Sequence, residues 1–331
     1  MRKLFITLFA VLISTPALSF ERVELCKLDT SIRNIEPDSA RQDELLRSFF
    51  ADKQIVAVNG YFGCSEGNFQ NVRNLLRRVG IYTPVSVLCP PDGVAVENNV
   101  VFLVQNLRRL ATQHPGRKIV LLGQSKGGAE VLQLLATRPE FLEKQTPHDF
   151  EIAAAVTFSA SVGGSKMADL VLNLDPELKE LWEKFKQENG FNESWFSQIL
   201  SSLLFDPTTP GFRSLTTLSS KARSEKLLTE TPESVRKLLR DKLFYVTAVR
   251  ERDANDVPAF LSLITKFMME LGEPNDGLVF EKDQRLDGIG THLLEVRRAS
   301  HFSMVGSEGE PRCREELARL IFLQLAVREA R

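Results

Sequence analysis

The chain has no excess of either charge. It carries 42 Lys and Arg against 43 Asp and Glu, a formal charge of −1, so no global field favours a nucleic-acid partner. With 19 Gly and 15 Pro in 331 residues, it lacks the signature of a collagen-like or low-complexity chain. There are only 4 histidines, and no two of the 4 cysteines stand two to four residues apart, so the ligand spacing of a zinc site is missing. The one extended apolar run, Leu4 to Ile13, falls well short of the roughly 20 residues that span a bilayer. No internal repeat is visible. What is there, 43% hydrophobic and 26% charged residues, is the make-up of a folded protein. A chain of this length buries roughly three quarters of its unfolded surface, so its core needs neither metal nor disulfide. It fits one large α/β domain or two smaller ones.

The first residues read as a targeting segment. Arg2 and Lys3 precede the apolar run, Ser14, Thr15 and Pro16 end it, and Ala17-Leu18-Ser19 offers small residues at the −3 and −1 positions before Phe20. This pattern predicts a secretory signal peptide over residues 1–19, cleaved after Ser19, and a mature chain over 20–331. Losing two basic and no acidic residues would leave that chain at −3, periplasmic or secreted, with no integral membrane segment. Cys26, Cys64, Cys89 and Cys313 all lie beyond the cleavage point, in a compartment that permits disulfides. Four cysteines allow three pairings, and spacing does not choose among them. Cys26 does not suit lipid attachment, because Glu24 and Leu25 fill positions that want small residues.

Beyond the leader, short β-branched or apolar runs alternate with helical patterns. Strands are predicted at Ile55–Val58, Val85–Leu88, Lys118–Leu122, Ile152–Phe158, Leu243–Val249 and His292–Val296, and helices at Phe69–Val79, Val100–Gln113 and Gly128–Thr137. Unbroken apolar runs such as Ile119-Val120-Leu121-Leu122 suit strands covered on both faces, so the alternation predicts a mainly parallel six-stranded sheet wrapped by helices. One stretch, about 166–241, interrupts it with no convincing strand and reads as a helical cap. It holds Trp182 and Trp195 with Phe185, Phe191, Phe196, Ile199, Leu200, Leu203 and Leu204, several at helical spacing. Such a stripe serves either as the cap's own small core or as the lining of an acyl pocket.

The chemistry gathers on one pentapeptide. Gly123-Gln124-Ser125-Lys126-Gly127 matches G-x-S-x-G, with a predicted strand running in and a predicted helix running out. A strained strand–turn–helix elbow that presents a serine needs small neighbours, and Gly123, Gly127 and Gly128 supply them. Ser125 is therefore the candidate nucleophile; the alternative is a tight turn with an incidental serine.

On these residues the chain resembles the α/β-hydrolase superfamily, and within it the secreted bacterial lipases and esterases. Further matches follow in the family's order along roughly residues 55–325. Val58-Asn59-Gly60-Tyr61 stands where such lipases carry His-Gly and an apolar residue, with Asn59 replacing the usual His. That match implies oxyanion donors at the backbone N–H groups of Tyr61 and Lys126. Gly163-Gly164-Ser165 and Ala168-Asp169 resemble a segment found after the fourth family strand. Asn275-Asp276-Gly277-Leu278-Val279 resembles the family's acid turn, which implies Asp276 as the acid, and Ser300-His301-Phe302 stands where the family places its catalytic His. The resemblance also implies that the strands ending before Cys64 and Cys89 are neighbours, which favours a Cys64–Cys89 disulfide and leaves Cys26 for Cys313.

Elementary chemistry asks for the same roles. A serine hydroxyl needs a base, an imidazole accepts a proton near neutral pH, and a carboxylate fixes its tautomer. The rival bases are His292, at the wrong end of the last predicted strand, and His114 and His148, which precede strands. Glu251 and Asp253 are the rival acids. The reading calls for no cofactor and no metal. Phe302-Ser303-Met304-Val305-Gly306 lacks the acidic calcium ligand that related lipases place after the His. The expected partner is a hydrophobic ester substrate, with transient lipid-surface contact through the cap. The alternatives are an acyltransferase on the same machinery and a non-catalytic hydrolase-fold binding module.

Overall fold

A computed structural model describes residues 20–61, 67–83, 85–143, 150–190, 206–251, 262–305 and 310–330. Its centre is one sheet of seven parallel strands in the order β1-β7-β6-β5-β4-β2-β3. In chain order the strands and main helices are β1 (Glu21–Glu24), α1 (Asp29–Ile35), α2 (Ser39–Phe50), β2 (Lys53–Val58), α3 (Gln70–Arg78), β3 (Val85–Leu88), α4 (Val96–Gln113), β4 (Lys118–Gln124), α5 (Lys126–Thr137), β5 (Ile152–Phe158), α6 (Lys166–Val171), α7 (Pro176–Glu188), α8 (Pro210–Arg213), α9 (Thr217–Glu230), α10 (Glu233–Lys242), β6 (Leu243–Val249), α11 (Ser262–Glu270), β7 (Thr291–Arg297) and α12 (Pro311–Glu329). All six predicted strands are present. The expectation of six is corrected to seven by β1, an edge strand on β7 whose sequence Glu-Arg-Val-Glu buries only Val23. With so few apolar residues, its place comes from pairing and from Arg22, whose Nε donates to Glu295 at 2.5 Å.

The apolar runs are explained by a two-sided core. Successive side chains on a strand point to opposite faces. Ile55, Ala57, Val120 and Leu122 pack with Phe50, Leu75, Leu317 and Phe322 under α2, α3 and α12. Val56, Val58, Ile119 and Leu121 pack with Leu103, Leu107, Val131 and Leu135 under α4 and α5. Each α4 apolar position recurs three or four residues on, from Val96 through Val100, Leu103 and Leu107 to Leu110, which turns one helix face to the sheet.

The described part of the expected cap consists of helices α6 to α10 joined by turns, with no strand among its described residues. Trp182 is 3% exposed and meets Phe185 and Phe267 at ring-centroid distances of 5.8 and 5.0 Å, an aromatic core between α7 and α11. Two of the cap's helices are tied together: Asp169 on α6 accepts from the backbone N–H and the hydroxyl of Thr217, at the start of α9, at 3.0 and 2.6 Å. Leu227 and Leu239 join the core on the α4/α5 side of the sheet, and α10 packs on β5 and β6, so this end of the stretch covers the sheet itself. Trp195, Phe191, Phe196, Ile199, Leu200, Leu203 and Leu204 lie outside the described residues.

Cys26 and Cys313 form a disulfide that joins the segment after β1 to α12. Cys89 is also disulfide-bonded, and Cys64, its expected partner, lies outside the described residues, as does the leader 1–19. Among the described residues, no helix is long and apolar enough to cross a membrane.

Strand order fixes where a site can form. The chain goes from β2 outward to β3, then returns to place β4 on the other side of β2. In open parallel sheets, the crevice at the strands' C-terminal ends beside such a reversal is where ligands bind. Ser125 follows β4, Gly60 and Tyr61 follow β2, and His301 follows β7, all at that end.

Candidate active site

Between β4 and α5, Ser125 sits at φ 56° and ψ −126°, a backbone state that L-residues rarely adopt. Hydrogen bonds hold it there: its N–H donates to the Phe158 carbonyl at 3.1 Å, and its own carbonyl accepts from Ser161 and Gly128 at 3.1 and 3.0 Å. The elbow is so tight that glycine is required around it. A Cβ on Gly60 would lie 2.6 Å from the Ser125 Cβ, and one on Gly127 would lie 2.5 Å from the carbonyl oxygens of Val58 and Asn59. The small residues in the sequence are thus the condition for the serine's exposure to the crevice.

His301 and Asp276 reach Ser125 from two later connections. His301 Nε2 lies 2.8 Å from Ser125 Oγ, and His301 Nδ1 lies 2.8 Å from Asp276 Oδ2. The other carboxylate oxygen, Asp276 Oδ1, accepts from the N–H groups of Leu278 and Val279 at 2.9 and 2.8 Å. Asn275 shapes this turn, for its Oδ1 accepts from the Gly277 N–H at 2.9 Å and its Nδ2 donates to the carbonyls of Met268 and Glu273. Two hydrogen bonds to its backbone also fix His301: its N–H donates to the Asp276 carbonyl at 2.9 Å, and Gln124 Nε2 donates to its carbonyl at 3.2 Å. With the Nδ1–H donating to the carboxylate, Nε2 is left as the acceptor for the serine hydroxyl. The arrangement can therefore deprotonate Ser125 as its oxygen attacks an electrophile.

The two expected oxyanion residues flank this group. Lys126 opens α5, and first-turn N–H groups of a helix have no intrahelical acceptor. Tyr61 is buried with its ring against Phe212, and burial pushes its phenol above the ordinary value. Asn59 accepts from Asn68 Nδ2 at 3.0 Å and donates its N–H to the Leu88 carbonyl. It is a buried strut between two loops.

Ser125 and His301 open into a pocket whose other walls are mostly apolar: Tyr61, Met167, Ala168, Phe212, Leu215, Leu278 and Val279, with Ser161 and Ser165. Met167, Ala168, Phe212 and Leu215 come from the stretch 166–241, and the predicted aromatic stripe did not single out any of them. Trp182 does not line it. Ser165 Oγ donates to the Leu278 carbonyl at 2.8 Å, which couples the base of the cap to the acid turn.

The rivals lie elsewhere. His292, at the start of β7, contacts Thr247 Oγ1 at 3.0 Å and stacks on Phe20, and burial holds its pKa below the ordinary value. His114 caps the C-terminus of α4, and Glu251 lies 3.6 Å from Arg298. His148 and Asp253 are outside the described residues. Sequence reasoning missed Gln124 as a clamp on His301 and Gln284, whose amide brackets the N–H and carbonyl of Ala248 at the end of β6. It also missed Glu130 beneath Lys126. All three act across long sequence separations or along a buried helix face, and no local pattern announces them.

No family model and no curated protein matches the chain. Solved structures do. The mature form of a lipase from Bacillus licheniformis aligns with a TM-score of 0.55 at 20% identity, covering 83% of this chain and 92% of that one. A metagenomic carboxyl esterase aligns with a TM-score of 0.52 at 17% identity, covering 85% of this chain and 76% of that one. At such identities the likeness is one of fold: this chain has the α/β-hydrolase fold and resembles bacterial lipases and esterases.

Proposed function

We propose that this protein is an exported serine ester hydrolase that cleaves hydrophobic acyl esters through Ser125, His301 and Asp276. Attack by Ser125 Oγ on the ester carbonyl passes the serine proton to His301 Nε2, and Asp276 stabilises the imidazolium. The oxyanion that forms is received by the backbone N–H groups of Tyr61 and Lys126, each worth about 3 kcal/mol of barrier. Collapse expels the alcohol, which takes the proton from His301 and leaves an acyl-enzyme. Water then attacks the acyl group, gives its proton to His301, and the acid departs as Ser125 recovers its own. No metal or cofactor enters these steps.

The observation that carries this reading is the unbroken Ser125–His301–Asp276 relay, with both contacts at 2.8 Å, at the floor of an apolar pocket. The pocket's apolar walls favour an acyl chain over a charged group. Leu174, Leu181 and Leu218 are exposed on the cap's described part, which suits transient contact with a lipid surface. The leader pattern over residues 1–19 supports export. An acyltransferase would use the same relay when an alcohol outcompetes water for the acyl-enzyme. A binding module would have no use for it.

The test is hydrolysis of p-nitrophenyl acetate, butyrate, octanoate and palmitate, with Ser125→Ala as control and fluorophosphonate labelling alongside. Hydrolysis that vanishes in the control, with label on Ser125, is the expected result. Folded protein that neither labels nor hydrolyses would leave the binding module. Faster product release with added alcohol would favour the transferase.

A further inference from the structure

Lys126 has a second feature besides the backbone N–H it offers the oxyanion. Its side chain is 2% exposed and ends on Glu130, which is 0% exposed, with Nζ and Oε1 2.7 Å apart one turn along α5. Asn99 on α4 donates to the same Oε1 at 2.6 Å. Both donors also reach the Pro91 carbonyl, Lys126 Nζ at 3.3 Å and Asn99 Nδ2 at 3.1 Å. The ion pair thus joins the first turn of α5 to α4 and to the segment after β3. Neither charged group lines the pocket, and the ester mechanism makes no use of either.

Stability does not account for a pair placed here. Two opposite charges buried together gain nothing over well-packed apolar side chains of the same volume, because desolvation cancels their attraction. Glu130 shows that cost: burial pushes its carboxyl above the ordinary value despite the adjacent lysine, and its Oε2 has no hydrogen-bond partner. What the pair supplies is direction. Ser125 Oγ and the Lys126 N–H belong to consecutive residues, so rotation of that first turn moves the donor relative to the nucleophile. An oxyanion donor works only within about 2.7–3.1 Å of the developing charge. A misplacement of 1 Å in a catalytic constellation costs about 100-fold.

We propose that the buried Lys126–Glu130–Asn99 network is a positioning device that aims the backbone N–H of Lys126 at the oxyanion. The inference rests on the ester-hydrolase reading. It assigns all three side chains a role through the Lys126 backbone and none in contact with substrate.

The test replaces the pair by apolar residues, Lys126→Met with Glu130→Leu, so that no orphaned charge remains. The expected result is a tenfold or larger fall in kcat with KM within twofold, an equal fall in the rate at which a fluorophosphonate phosphonylates Ser125, and an undiminished melting temperature. Asn99→Leu, which cuts the link to α4 and leaves the pair with its own contact to the Pro91 carbonyl, is expected to lower kcat several-fold with the same unchanged KM. A folded double variant with wild-type kcat and phosphonylation rate overturns the proposal. So does a loss of kcat that merely tracks a falling folded fraction in both variants. If the wild type phosphonylates at Ser125 but hydrolyses no ester, the ester reading fails while the labelling rates still decide the positioning role. If the wild type does neither, both fail.

Discussion

Asp276 and Glu130 are both completely buried carboxylates on either side of Ser125, yet they are held in opposite ways. Asp276 is gripped by its own turn: the N–H groups two and three residues ahead take one oxygen, and only His301 on the other oxygen comes from afar. Glu130 has no such turn, being mid-helix, and meets a lysine one turn back and an asparagine from another helix. Asp276 is therefore held mainly by a short local motif. Glu130 depends in part on a contact from a separate helix. The difference sets both what the sequence reveals and what each substitution should break.

The largest effect is expected where the relay itself is cut. Ser125→Ala and His301→Ala should each lower ester hydrolysis by about three to six orders of magnitude while circular dichroism stays native, because relay members act as one unit. Asp276→Asn should cost less, about 10³–10⁴-fold, since serine and imidazole remain but the tautomer is wrong. Glu251→Gln, at the ion pair with Arg298, should stay within twofold. A fully active Asp276→Asn would remove the acid from the assignment and undo the contrast drawn above.

How much was legible follows from the same contrast. G-x-S-x-G could be read because Gly127 has backbone oxygens within 2.5 Å of where a Cβ would be, a constraint written into one residue type. Asn-Asp-Gly could be read because Asn275 shapes the turn and Gly277 takes φ +99°, again within a few residues. The interior strands, such as β2 and β4, showed as apolar runs because both faces are covered, and the short edge strand β3 showed through its Val-Ser-Val-Leu alternation. β1 did not, because Glu-Arg-Val-Glu is polar and relies on its neighbour. Gln124, Gln284 and Glu130 look like ordinary polar positions until distant segments are brought together. Trp182 was visible as part of a stripe, but helical spacing says only that a face is buried and not against what.

That ambiguity can be sharpened by mutation within the cap. Trp182→Ala should cost about 3–5 kcal/mol of stability. It should leave the ratio of octanoate to acetate hydrolysis unchanged, since the ring packs on Phe185 and Phe267 and not on the pocket. Met167→Ala should do the reverse. Met167 lines the pocket, so truncation should shift the octanoate-to-acetate ratio several-fold, each methylene gained or lost in contact counting about 0.8 kcal/mol. A chain-length shift in Trp182→Ala with an unchanged melting temperature would transfer the acyl contact to the aromatic stripe.

The smallest effect on activity is expected from the covalent tie at the sheet edge. Cys26–Cys313 spans a sequence separation of 287 residues, and in the chain-entropy treatment closing so long a loop removes about 5–6 kcal/mol of unfolded-state freedom. Measured gains run lower, typically about 2–4 kcal/mol, because the unfolded chain is itself compact and native geometry is seldom free of strain. Neither cysteine lines the pocket, and β1 keeps its parallel pairing with β7 and the Arg22–Glu295 contact without the bridge. The double variant Cys26→Ser, Cys313→Ser should therefore melt several degrees lower in a thermal scan, yet turn over p-nitrophenyl butyrate within twofold of wild type at 25 °C. Both cysteines are changed together so that no lone thiol remains to pair wrongly with Cys64 or Cys89. A large loss of kcat at full foldedness would mean that the position of β7, and through it His301, depends on the N-terminal tie. The surroundings of His301 would then depend on the chain's N-terminal end as well as on Gln124 and Asp276.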